Sequence, residues 1–509
     1  MFAETIGATT LGIDGKLIHV EVDIMNGLPA FEIVGLPEAA VKESKERVRS
    51  AIKNSGFQFP TKRIVINLAP AQLKKNSSGL DLPIAMGILA ASGQIKIDAC
   101  RDFMLIGELS LEGKLRGVHG VLPMAIHANE QDIHKIIVSE DNKEEAALVD
   151  GLAVYACDTL REAILFIEGE LTIEPWQATP FDDDALAERC DFADVQGQRA
   201  AKRALEIAAA GGHNILMSGP PGSGKTMLAR RIPTILPSLT KREALEITKI
   251  YSIAGFLKQQ SGLIQRRPFR SPHHTISDVG MIGGGRIPKP GEVTLSHHGV
   301  LFLDEFPEFS KEALEALRQP LEDFEVTIAR ANATLTYPAK FLLIVAKNPC
   351  PCGYYGDAEH TCSCTPAEVR RYNRKISGPL LDRIDLQICV QRLPYDELKH
   401  GATQETSAEI RARVEKARNR QIKRLLPYGL FCNSQMGHRE LKKLCPMTPD
   451  AEVLLGQAYQ QMKMSARSYD RIIKVARTIA DLAESDMIEA IHIAEAVQLR
   501  SIPEDSLNQ

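Results

Sequence analysis

The sequence predicts a multidomain chain with an α+β domain first, an α/β core with a parallel sheet second, and an α-helical domain last. Residues 1–166 mix alternating strands, such as Leu17 to Ile24, with amphipathic helical stretches, which is typical of an α+β domain. Two apolar runs, 300–303 and 340–346, end in polar residues and indicate buried parallel strands. From about Thr403 the apolar residues recur at helical spacing.

Length and local composition place the boundaries. A chain of 509 residues is too long for one hydrophobic core, so several domains are expected. We predict an N-terminal domain over 1–166, a linker rich in Pro and Asp over 167–187, a core with inserts over 188–395, and a helical domain over 396–509.

The composition is that of an ordinary globular protein, with 44% hydrophobic and 25% charged residues. A net charge of −4 argues against a protein that is basic overall, although it leaves room for a local basic channel. The first residues lack the pattern of a signal peptide, and no apolar run is long enough to span a membrane, so we expect a cytoplasmic location. Ten cysteines in such a chain predict thiols or metal ligands rather than disulfides.

The N-terminal domain is predicted from seven stretches of regular pattern. Two of them, 38–54 and 81–91, are helical, and the second is apolar enough to be buried on all sides. The others alternate or form short apolar runs and predict strands. These strands are 17–24, 30–34 and 63–68, followed by strands within 103–109 and 136–139.

One segment has the pattern G-x-x-x-x-G-K-[ST] between an apolar strand, 213–218, and the start of a helix at Met227. Such a loop directs backbone N–H groups and a helix N-terminus at phosphates, and its glycines permit the tight turn. Lys225 is predicted to reach the β- and γ-phosphates, and Thr226 to ligate Mg²⁺. A chance Gly-rich turn is the alternative. The loop residues predicted to bind the nucleotide are Gly219, Pro220, Pro221, Gly222, Ser223 and Gly224.

The apolar run 300–303 ends in two carboxylates, which is typical of a buried strand whose C-terminal end meets a ligand. We predict that Asp304 binds Mg²⁺ and that Glu305 polarises the attacking water. A solvated strand end is the alternative reading of this pair. The run 340–346 leads to Asn348, a polar residue placed to orient that water or to contact the γ-phosphate.

Four cysteines form two C-x-C pairs, and such pairs can supply four thiolates to a tetrahedral Zn²⁺. They are Cys350, Cys352, Cys362 and Cys364, with His360 as a spare ligand. The C-x-C spacing departs from the usual C-x₂-C, so reduced structural thiols remain the alternative. The other cysteines are scattered and are interpreted as core or surface thiols.

Two inserts are candidates for contact with a polyanion. Residues 325–337 alternate, turn near Ala331-Asn332 and alternate again, which predicts a β-hairpin with Arg330 at its tip. A Gly- and Pro-rich segment before Asp304 is locally basic and carries Arg286 and Lys289. These three basic residues are predicted DNA contacts through phosphate. An ordinary hairpin with one exposed Arg is the alternative.

The order of the N-terminal elements, and the segment 107–120 in particular, resembles the Lon-protease-like domain of the ribosomal-protein-fold superfamily. Lon-type enzymes use a Ser–Lys pair, but here the two positions fall at Gly79 and Met124. Ser78 lies one place away and has no lysine to take its proton. We therefore expect a domain without proteolytic activity, used for assembly or binding.

Over essentially its full length the sequence resembles the magnesium-chelatase-like AAA+ ATPases of the competence protein ComM (YifB) family. The motifs that carry this resemblance are long and specific. They are Arg270-Ser-Pro-His-His-Thr275, the segment 291–305 that ends in Asp304-Glu305, Asn348-Pro-Cys-Pro-Cys-Gly353, and the segment 376–385 that contains Arg383.

The resemblance implies roles for residues that spacing alone does not assign. It implies that Val195 and Gln198 contact the adenine, and that Asn348 serves as sensor 1. It further implies that Arg383 is presented to a neighbour's nucleotide, with pairing to Asp382 or Asp385 as the alternative. Arg467 is the expected sensor 2, Arg471 is its alternate, and the helical domain is expected to be the lid.

The resemblance also implies a function and an assembly. It implies a hexameric ring that binds ATP and Mg²⁺ at subunit interfaces, translocates on single-stranded or branched DNA, and drives branch migration when imported DNA recombines. Two alternatives stay open: an ATP-dependent protease or unfoldase that works on protein, and a chelatase-type remodeller. The missing Ser–Lys pair counts against proteolysis, and the chain lacks an integrin-like metal domain.

Overall fold

The computed structural model describes residues 1–75, 77–177, 190–257, 262–285, 288–330, 333–357, 359–392 and 404–500. The chain divides into two compact units. The first comprises Met1–Asp182 and Lys241–Gln265, and the second comprises Asp183–Thr240 and Arg266–Gln509. Within the described ranges, no helix has the length and apolar character needed to cross a membrane.

The strands are numbered in chain order. They are β1 Phe2–Leu11, β2 Asp14–Met25, β3 Ala30–Val34, β4 Arg63–Ala69, β5 Met104–Leu105, β6 Glu108–Leu109, β7 Leu115–Arg116, β8 Lys135–Ser139, β9 Ala153–Cys157, β10 Ile215–Ser218, β11 Phe269–Arg270, β12 Gly283–Gly284, β13 Lys289–Pro290, β14 Val300–Leu303, β15 Glu325–Arg330, β16 Ala333–Pro338, β17 Leu342–Lys347 and β18 Leu386–Cys389.

The α-helices are numbered in the same way. They are α1 Ala39–Lys42, α2 Ser44–Asn54, α3 Asp81–Ala91, α4 Ile97–Cys100, α5 Val121–Glu130, α6 Lys143–Ala146, α7 Leu160–Glu168, α8 Arg199–Gly211, α9 Lys225–Ile235, α10 Lys241–Ala254, α11 Asp278–Ile282, α12 Glu292–Leu295, α13 Lys311–Ala316, α14 Arg318–Asp323, α15 Pro366–Asn373, α16 Gly378–Leu381, α17 Ser407–Leu425, α18 His438–Leu444, α19 Pro449–Gln461, α20 Ala466–Leu482 and α21 Ala490–Gln498.

The first unit is built on a mixed sheet with the strand order β3-β4-β2-β1-β5-β8-β9. The alternating burial along β2 shows why the sequence pattern predicts it well, since Ile18, Val20 and Val22 face the core and the residues between them do not. Helix α3 is buried along its whole length, as predicted. Asp81, the first residue of α3, accepts hydrogen bonds from the guanidinium of Arg47 at 2.6 and 3.0 Å.

Two predicted elements of this unit differ in the structure. The single helix expected over 38–54 is divided at Glu43 into α1 and α2. The single strand expected within 103–109 is instead β5 in the large sheet and β6, which pairs with β7. Gly107 separates the two strands, and its amide donates to the carbonyl of Gly79, so the chain leaves the large sheet at that point.

Helix α10 and the residues after it belong to the first unit, although the sequence analysis assigned them to the core with its inserts. Lys241 pairs with Asp150 at 2.7 Å, and Lys249 pairs with Asp14 at 3.0 Å. Ser252 donates a hydrogen bond to the buried carboxylate of Glu145. These contacts are made between distant parts of the chain, and periodicity within α10 gives no sign of them.

The second unit contains a parallel sheet with the strand order β11-β14-β17-β10-β18. Strands β10, β14 and β17 are fully buried, as their continuous apolar runs predict. Ser218 pairs with Lys347 and with Cys389, so the C-terminal ends of the strands lie along one edge. The phosphate loop, Asp304 and Asn348 follow three of these strands and therefore lie at that edge.

The C-terminal residues are helical, as predicted, and share one hydrophobic core with the sheet. Ile410 and Val414 of α17 and Ile472 and Ile479 of α20 belong to the same buried cluster as Ile215 of β10. The predicted boundary at 395/396 lies outside the described residues. The predicted linker is described only up to residue 177, where the backbone of Trp176 pairs with that of Val154.

Candidate nucleotide site

The phosphate loop leaves β10 and enters α9 through backbone that suits glycine. Gly222 and Gly224 have φ values of 79° and 91°, in the left-handed region that residues with a Cβ rarely adopt. Gly224 is the N-cap residue of α9, so the first amides of the helix point out of its N-terminus. The loop has the geometry that binds phosphate through backbone N–H groups.

Lys225 is nearly buried, with 8% of its surface exposed. Its ammonium donates to the carbonyls of Gly219 and Pro220 at 2.7 and 2.9 Å, both within the loop. Burial lowers the pKa of Lys225, and the nearby Asp304 carboxylate opposes that shift. The ammonium therefore lies inside the concave loop, where the charge of a phosphate would stabilise it.

Thr226, in the first turn of α9, and Asp304, directly after β14, come together. The Thr226 hydroxyl donates to Oδ2 of Asp304 at 2.7 Å. Two adjacent oxygens in an octahedral Mg²⁺ shell lie about 2.9 Å apart when each metal–oxygen distance is about 2.0–2.1 Å. The two side chains thus fit as neighbouring ligands of one Mg²⁺, with Asp304 Oδ1 engaged by the amide of Glu305 at 2.9 Å.

Glu305 has a left-handed φ of 50°, and its carboxylate contacts Nδ1 of His274 at 3.2 Å. His274 belongs to the segment after β11, the strand next to β14. Arg270, at the end of β11, forms a bidentate pair with Glu292 at 2.6 Å for both nitrogens. That pair anchors the segment that presents His274 to Glu305.

A cleft of about 410 Å³ opens beside the phosphate loop, within the range of roughly 300–1,000 Å³ of small-molecule pockets. Val195 and Gln198 line it together with the loop, where the resemblance places adenine contacts. Gln198 donates to the carbonyls of Ser223 and Gln391 at 3.3 and 2.7 Å. Gln196 also lines it, and its buried side-chain oxygen has no hydrogen-bond partner in the described part of the chain. That oxygen suits the amino group of a nucleobase.

Asn348 follows β17 at the same edge of the sheet and is partly buried. It lies near Gly353, where a Cβ would be 3.9 Å from its amide carbon and 2.7 Å from Cδ of Pro221 in the phosphate loop. Asn348, the residue predicted to serve as sensor 1, is therefore close to the phosphate loop in space.

Arg383 lines a different cleft, of about 240 Å³, with Asp385, Arg471 and Lys474. It pairs with the Glu322 carboxylate and donates to the carbonyl of Pro379 at 2.5 Å. Its expected alternative partners were Asp382 and Asp385, but the salt bridge that Arg383 forms is to Glu322, on α14. Among described residues, none lines both this arginine cleft and the nucleotide cleft.

Asp385 is the carboxylate at the base of the arginine cleft. It contacts Nδ1 of His213 at 3.1 Å and Nε of Arg471 at 3.3 Å. Burial by itself raises the pKa of Asp385, but the His213 hydrogen bond and the nearby cations outweigh it, so that its pKa is lowered. Arg467 is exposed and contributes to the field at Glu322. Both sensor 2 candidates thus lie with Arg383, apart from the phosphate loop of the same chain.

The four clustered cysteines lie together after β17, within 4.8 Å of one another. Backbone amides, that of Tyr354 above all, lower the pKa of Cys352 to about 5. His360 is not part of this group, because its Nδ1 accepts a hydrogen bond from Arg392 at 3.1 Å. The spare-ligand assignment for His360 is therefore wrong in this arrangement.

The predicted hairpin is confirmed, since β15 and β16 pair antiparallel from Glu325↔Pro338 to Arg330↔Ala333. Arg330 is the last residue of β15, and the turn at 331–332 lies outside the described residues. Lys289 is exposed on β13, whereas Arg286 also falls outside the described residues. Contact with DNA at these positions stays a prediction.

In the first unit, Gly79 and Ser78 lie in a 3₁₀ turn before α3, and Met124 is fully buried in α5. The Lon-type nucleophile and lysine positions are thus occupied by a glycine and by a core methionine. The absence of proteolytic activity in this domain stays a prediction.

Sequence reasoning missed four residues of these sites: Gln196, His274, Glu322 and Arg392. His274, Glu322 and Arg392 each contact a residue that is distant in sequence, and Gln196 lies between the two predicted adenine contacts Val195 and Gln198. The one sequence signal for His274 is the His-His pair of Arg270–Thr275, which was recognised as a family motif.

Three family models match successive parts of the chain. A family model described as magnesium chelatase, subunit ChlI, matches residues 191–398. Two further models match residues 20–142 (subunit ChlI of Mg-chelatase) and 404–500 (magnesium chelatase, subunit ChlI C-terminal).

Relatives cover nearly the whole chain. It is 45% identical over 493 residues to the protein YifB of Escherichia coli, which is 97% of this chain and 96% of that protein. It is 43% identical over 502 residues to competence protein ComM of Haemophilus influenzae, again 97% and 96%. Lon protease 2 of Bacillus subtilis is 30% identical over 184 residues, 33% of this chain and 32% of that protein. The chain therefore belongs to the magnesium-chelatase-like family of AAA+ proteins that includes ComM and YifB.

Proposed function

We propose that this chain is an ATP-hydrolysing AAA+ ring motor that acts on DNA, a helicase or branch-migration factor in the recombination of imported DNA. The observation that carries the hydrolytic part is the 2.7 Å contact between Thr226 and Asp304 at the end of a phosphate loop, with Glu305 directly after it.

The residues divide the work of hydrolysis. Loop amides bind the phosphates, and Lys225 exchanges its two carbonyl partners for phosphate oxygens. Thr226 and Asp304 would hold Mg²⁺, and the ion would supply positive charge against the charge that develops on the transferred phosphoryl group. Glu305 accepts a proton from, or orients, the attacking water, and His274 holds its carboxylate in position.

Two substitutions test this assignment. Lys225→Ala should abolish ATP binding and turnover, because it removes the cation that the phosphates contact. Glu305→Gln should lower turnover by about 100-fold or more while ATP remains bound. Equilibrium binding of a fluorescent ATP analogue and steady-state phosphate release separate the two outcomes. Turnover retained in either variant would remove the site assignment.

A ring assembly is supported by the separation of the two clefts. Arg383 and Arg471 line the arginine cleft, which shares no described residue with the nucleotide cleft, and Arg467 contributes to the field at Glu322 beside Arg383. In a ring, the arginine cleft of one subunit faces the nucleotide of the next, and Arg383 then stabilises the transferred phosphoryl group. This is the arrangement that we propose, with six subunits.

The hairpin of β15 and β16 supports DNA as the client. It lies directly before β17, and its strands end at Arg330 and begin again at Ala333. The relative named competence protein ComM is 43% identical over nearly the whole chain, which supports a role in natural transformation. A ring of such hairpins would present arginines to phosphates without reading sequence.

The DNA proposal is tested by the ATPase rate with single-stranded, duplex and branched DNA at low salt. We expect DNA to stimulate hydrolysis, and Arg330→Ala to remove most of that stimulation while leaving the basal rate unchanged. Exposed Arg242 on α10 provides a matched control, since Arg242→Ala removes the same charge elsewhere. Loss of one phosphate contact should also reduce the salt dependence of binding.

A chelatase-type or protein-remodelling function is the second candidate, favoured by the ChlI description of the matching family models. Both candidates share the ATPase site and differ in the client. Hydrolysis that no DNA stimulates at low salt, but that a protein client does stimulate, would favour this second candidate.

A further inference from the structure

The four cysteines after β17 are arranged for one metal ion. The Sγ of Cys350 lies 3.3 Å from that of Cys352 and 3.7 Å from that of Cys362, and the Cys352–Cys362 distance is 3.6 Å. These separations are far longer than a disulfide bond of about 2.05 Å. They approach the edge of about 3.8 Å of a tetrahedron with Zn–S distances of about 2.3 Å.

The backbone around the cysteines also favours bound thiolates. The amide of Cys352 donates to Sγ of Cys364, and the amide of Cys364 donates to Sγ of Cys362, both at 3.4 Å. Such donors stabilise the negative charge on metal-bound sulfur. A tetrahedral set of four sulfurs selects Zn²⁺ among the common divalent ions, and their close spacing suits one ion rather than a cluster.

The loop that these cysteines define, residues 350–364, fits against the phosphate loop. Gly353 has a φ of +88°, and a Cβ built there would lie 2.7 Å from Cδ and 2.8 Å from Cγ of Pro221. The amide carbon of Asn348 lies 3.9 Å from the same point. The cysteine loop is therefore packed between the phosphate loop and the predicted sensor 1.

A second link runs through Arg392, which lines the nucleotide cleft. Its guanidinium donates to the carbonyl of Pro221 and to Nδ1 of His360, both at 3.1 Å. His360 stacks on Tyr354 with ring centroids 4.8 Å apart, and the buried Asp357 lies 3.5 Å from His360. Tyr354, Asp357 and His360 of the cysteine loop thus hold Arg392, which contacts the phosphate loop.

We infer that Cys350, Cys352, Cys362 and Cys364 bind one Zn²⁺, and that this metal site fixes Pro221 and Arg392 in the conformation that binds nucleotide. Binding displaces the thiol protons, so that Zn²⁺ and four thiolates carry a net charge of −2. Without the ion the sulfurs take up protons again and nothing links the two C-x-C pairs, so the loop opens and Pro221 loses its contacts with Gly353 and Arg392. The metal part of this inference, that the four cysteines bind zinc, is independent of the proposed function. The coupling part, that the zinc site affects nucleotide binding, rests on the proposed nucleotide site.

The metal part is tested by elemental analysis of the purified full-length protein. We expect one zinc per chain, retained through dialysis, with the four cluster thiols protected from a thiol reagent until a chelator is added. The double variant Cys352→Ser, Cys362→Ser should lose the zinc, whereas Cys190→Ser, outside the cluster, should keep it. Wild-type protein that holds no zinc and reacts at all four thiols would overturn this part, as would iron at one per chain.

The coupling part is tested by equilibrium binding of a fluorescent ATP analogue, which needs no turnover. Removing zinc should weaken binding by about tenfold, and re-adding zinc should restore it. Gly353→Ala and Arg392→Ala should weaken binding while keeping one zinc per chain, because each disturbs a contact to Pro221 and removes none of the four sulfurs. Cys190→Ala should change neither quantity.

The outcomes separate the two proposals. Zinc present with unchanged nucleotide affinity in the metal-free protein and in Gly353→Ala overturns the coupling. Zinc-dependent nucleotide binding without any hydrolysis keeps the inference and contradicts the proposed motor. If the double cysteine variant fails to fold, by circular dichroism, the reversible chelation of the wild-type protein and the Gly353→Ala result still decide.

Discussion

The nucleotide cleft and the arginine cleft belong to one unit, yet the charged groups at the two clefts have different partners. Beside the nucleotide cleft, the Lys225 ammonium donates to neutral carbonyl and hydroxyl oxygens of the phosphate loop, and in the cleft Gln196 carries a buried oxygen without a partner in the described part of the chain. In the arginine cleft, Arg383 is paired with Glu322, and Arg471 with Asp385.

The difference follows from what each cleft faces in the assembly that we propose. A cleft that binds its own ligand can leave donors aimed at the ligand, because the ligand neutralises them. A cleft that serves a neighbouring subunit must keep its cations solvated or paired until assembly, since an unpaired buried guanidinium is costly. Glu322 is half exposed and is therefore a partner that Arg383 can exchange for phosphate at modest cost.

The sharpest test of this comparison is Arg383→Ala. If Arg383 acts on a neighbour's nucleotide, hydrolysis should fall by about 10³-fold or more while nucleotide binding stays unchanged. Mixing this variant with the Lys225→Ala variant should then restore part of the activity, because some interfaces combine an intact loop with an intact arginine. Exposed Arg374 nearby serves as a control through Arg374→Ala. Mixed subunits without any recovery would contradict a shared site.

The next test concerns the carboxylate that holds the arginine cleft together. Asp385→Asn should destabilise the protein by about 3–5 kcal/mol, since His213 and Arg471 then lose the charge that pairs with them. The neighbouring Asp382→Asn should cost less than about 1 kcal/mol. Urea denaturation at neutral pH measures both.

Acid should remove the contribution of the Asp385 carboxylate to the free energy of unfolding. Its pKa is lower in the folded protein than the ordinary value of about 3.9, so its stabilising effect is fully present above that pH. The effect declines as the pH falls through the folded-state pKa. The Asp385→Asn variant and the parent should therefore converge in strong acid, and a difference that persists there would indicate a packing effect.

The smallest effect is expected at His274. His274→Ala should lower kcat by about tenfold with little change in KM, because Glu305 keeps its chemistry but loses a contact that orients it. His274→Gln, which keeps a hydrogen-bond donor, should recover part of the loss. His273→Ala is the matched control, since His273 contacts Thr275 at 3.0 Å instead. Equal losses at both histidines would show that the segment matters only for folding.

Elements that depend on local pattern can be predicted from the amino-acid sequence alone. A fixed spacing of Gly219, Lys225 and Thr226 between a buried strand and a helix specifies the phosphate loop, because the backbone alone forms that structure. Parallel strands that end together bring Asp304 and Asn348 to the same edge, so their proximity also followed from the pattern. Alternation over 325–337 was enough to predict the hairpin.

Side-chain pairings between distant segments become visible only in the folded structure. Nothing local indicates that Glu322 rather than Asp382 or Asp385 pairs with Arg383, or that Arg392 contacts both His360 and Pro221. The same holds for α10, where Lys241 pairs with Asp150 and Lys249 pairs with Asp14 of the first unit. Periodicity records which face of an element is buried, but side-chain partners are chosen by the packing of whole elements, and packing is a property of the folded chain.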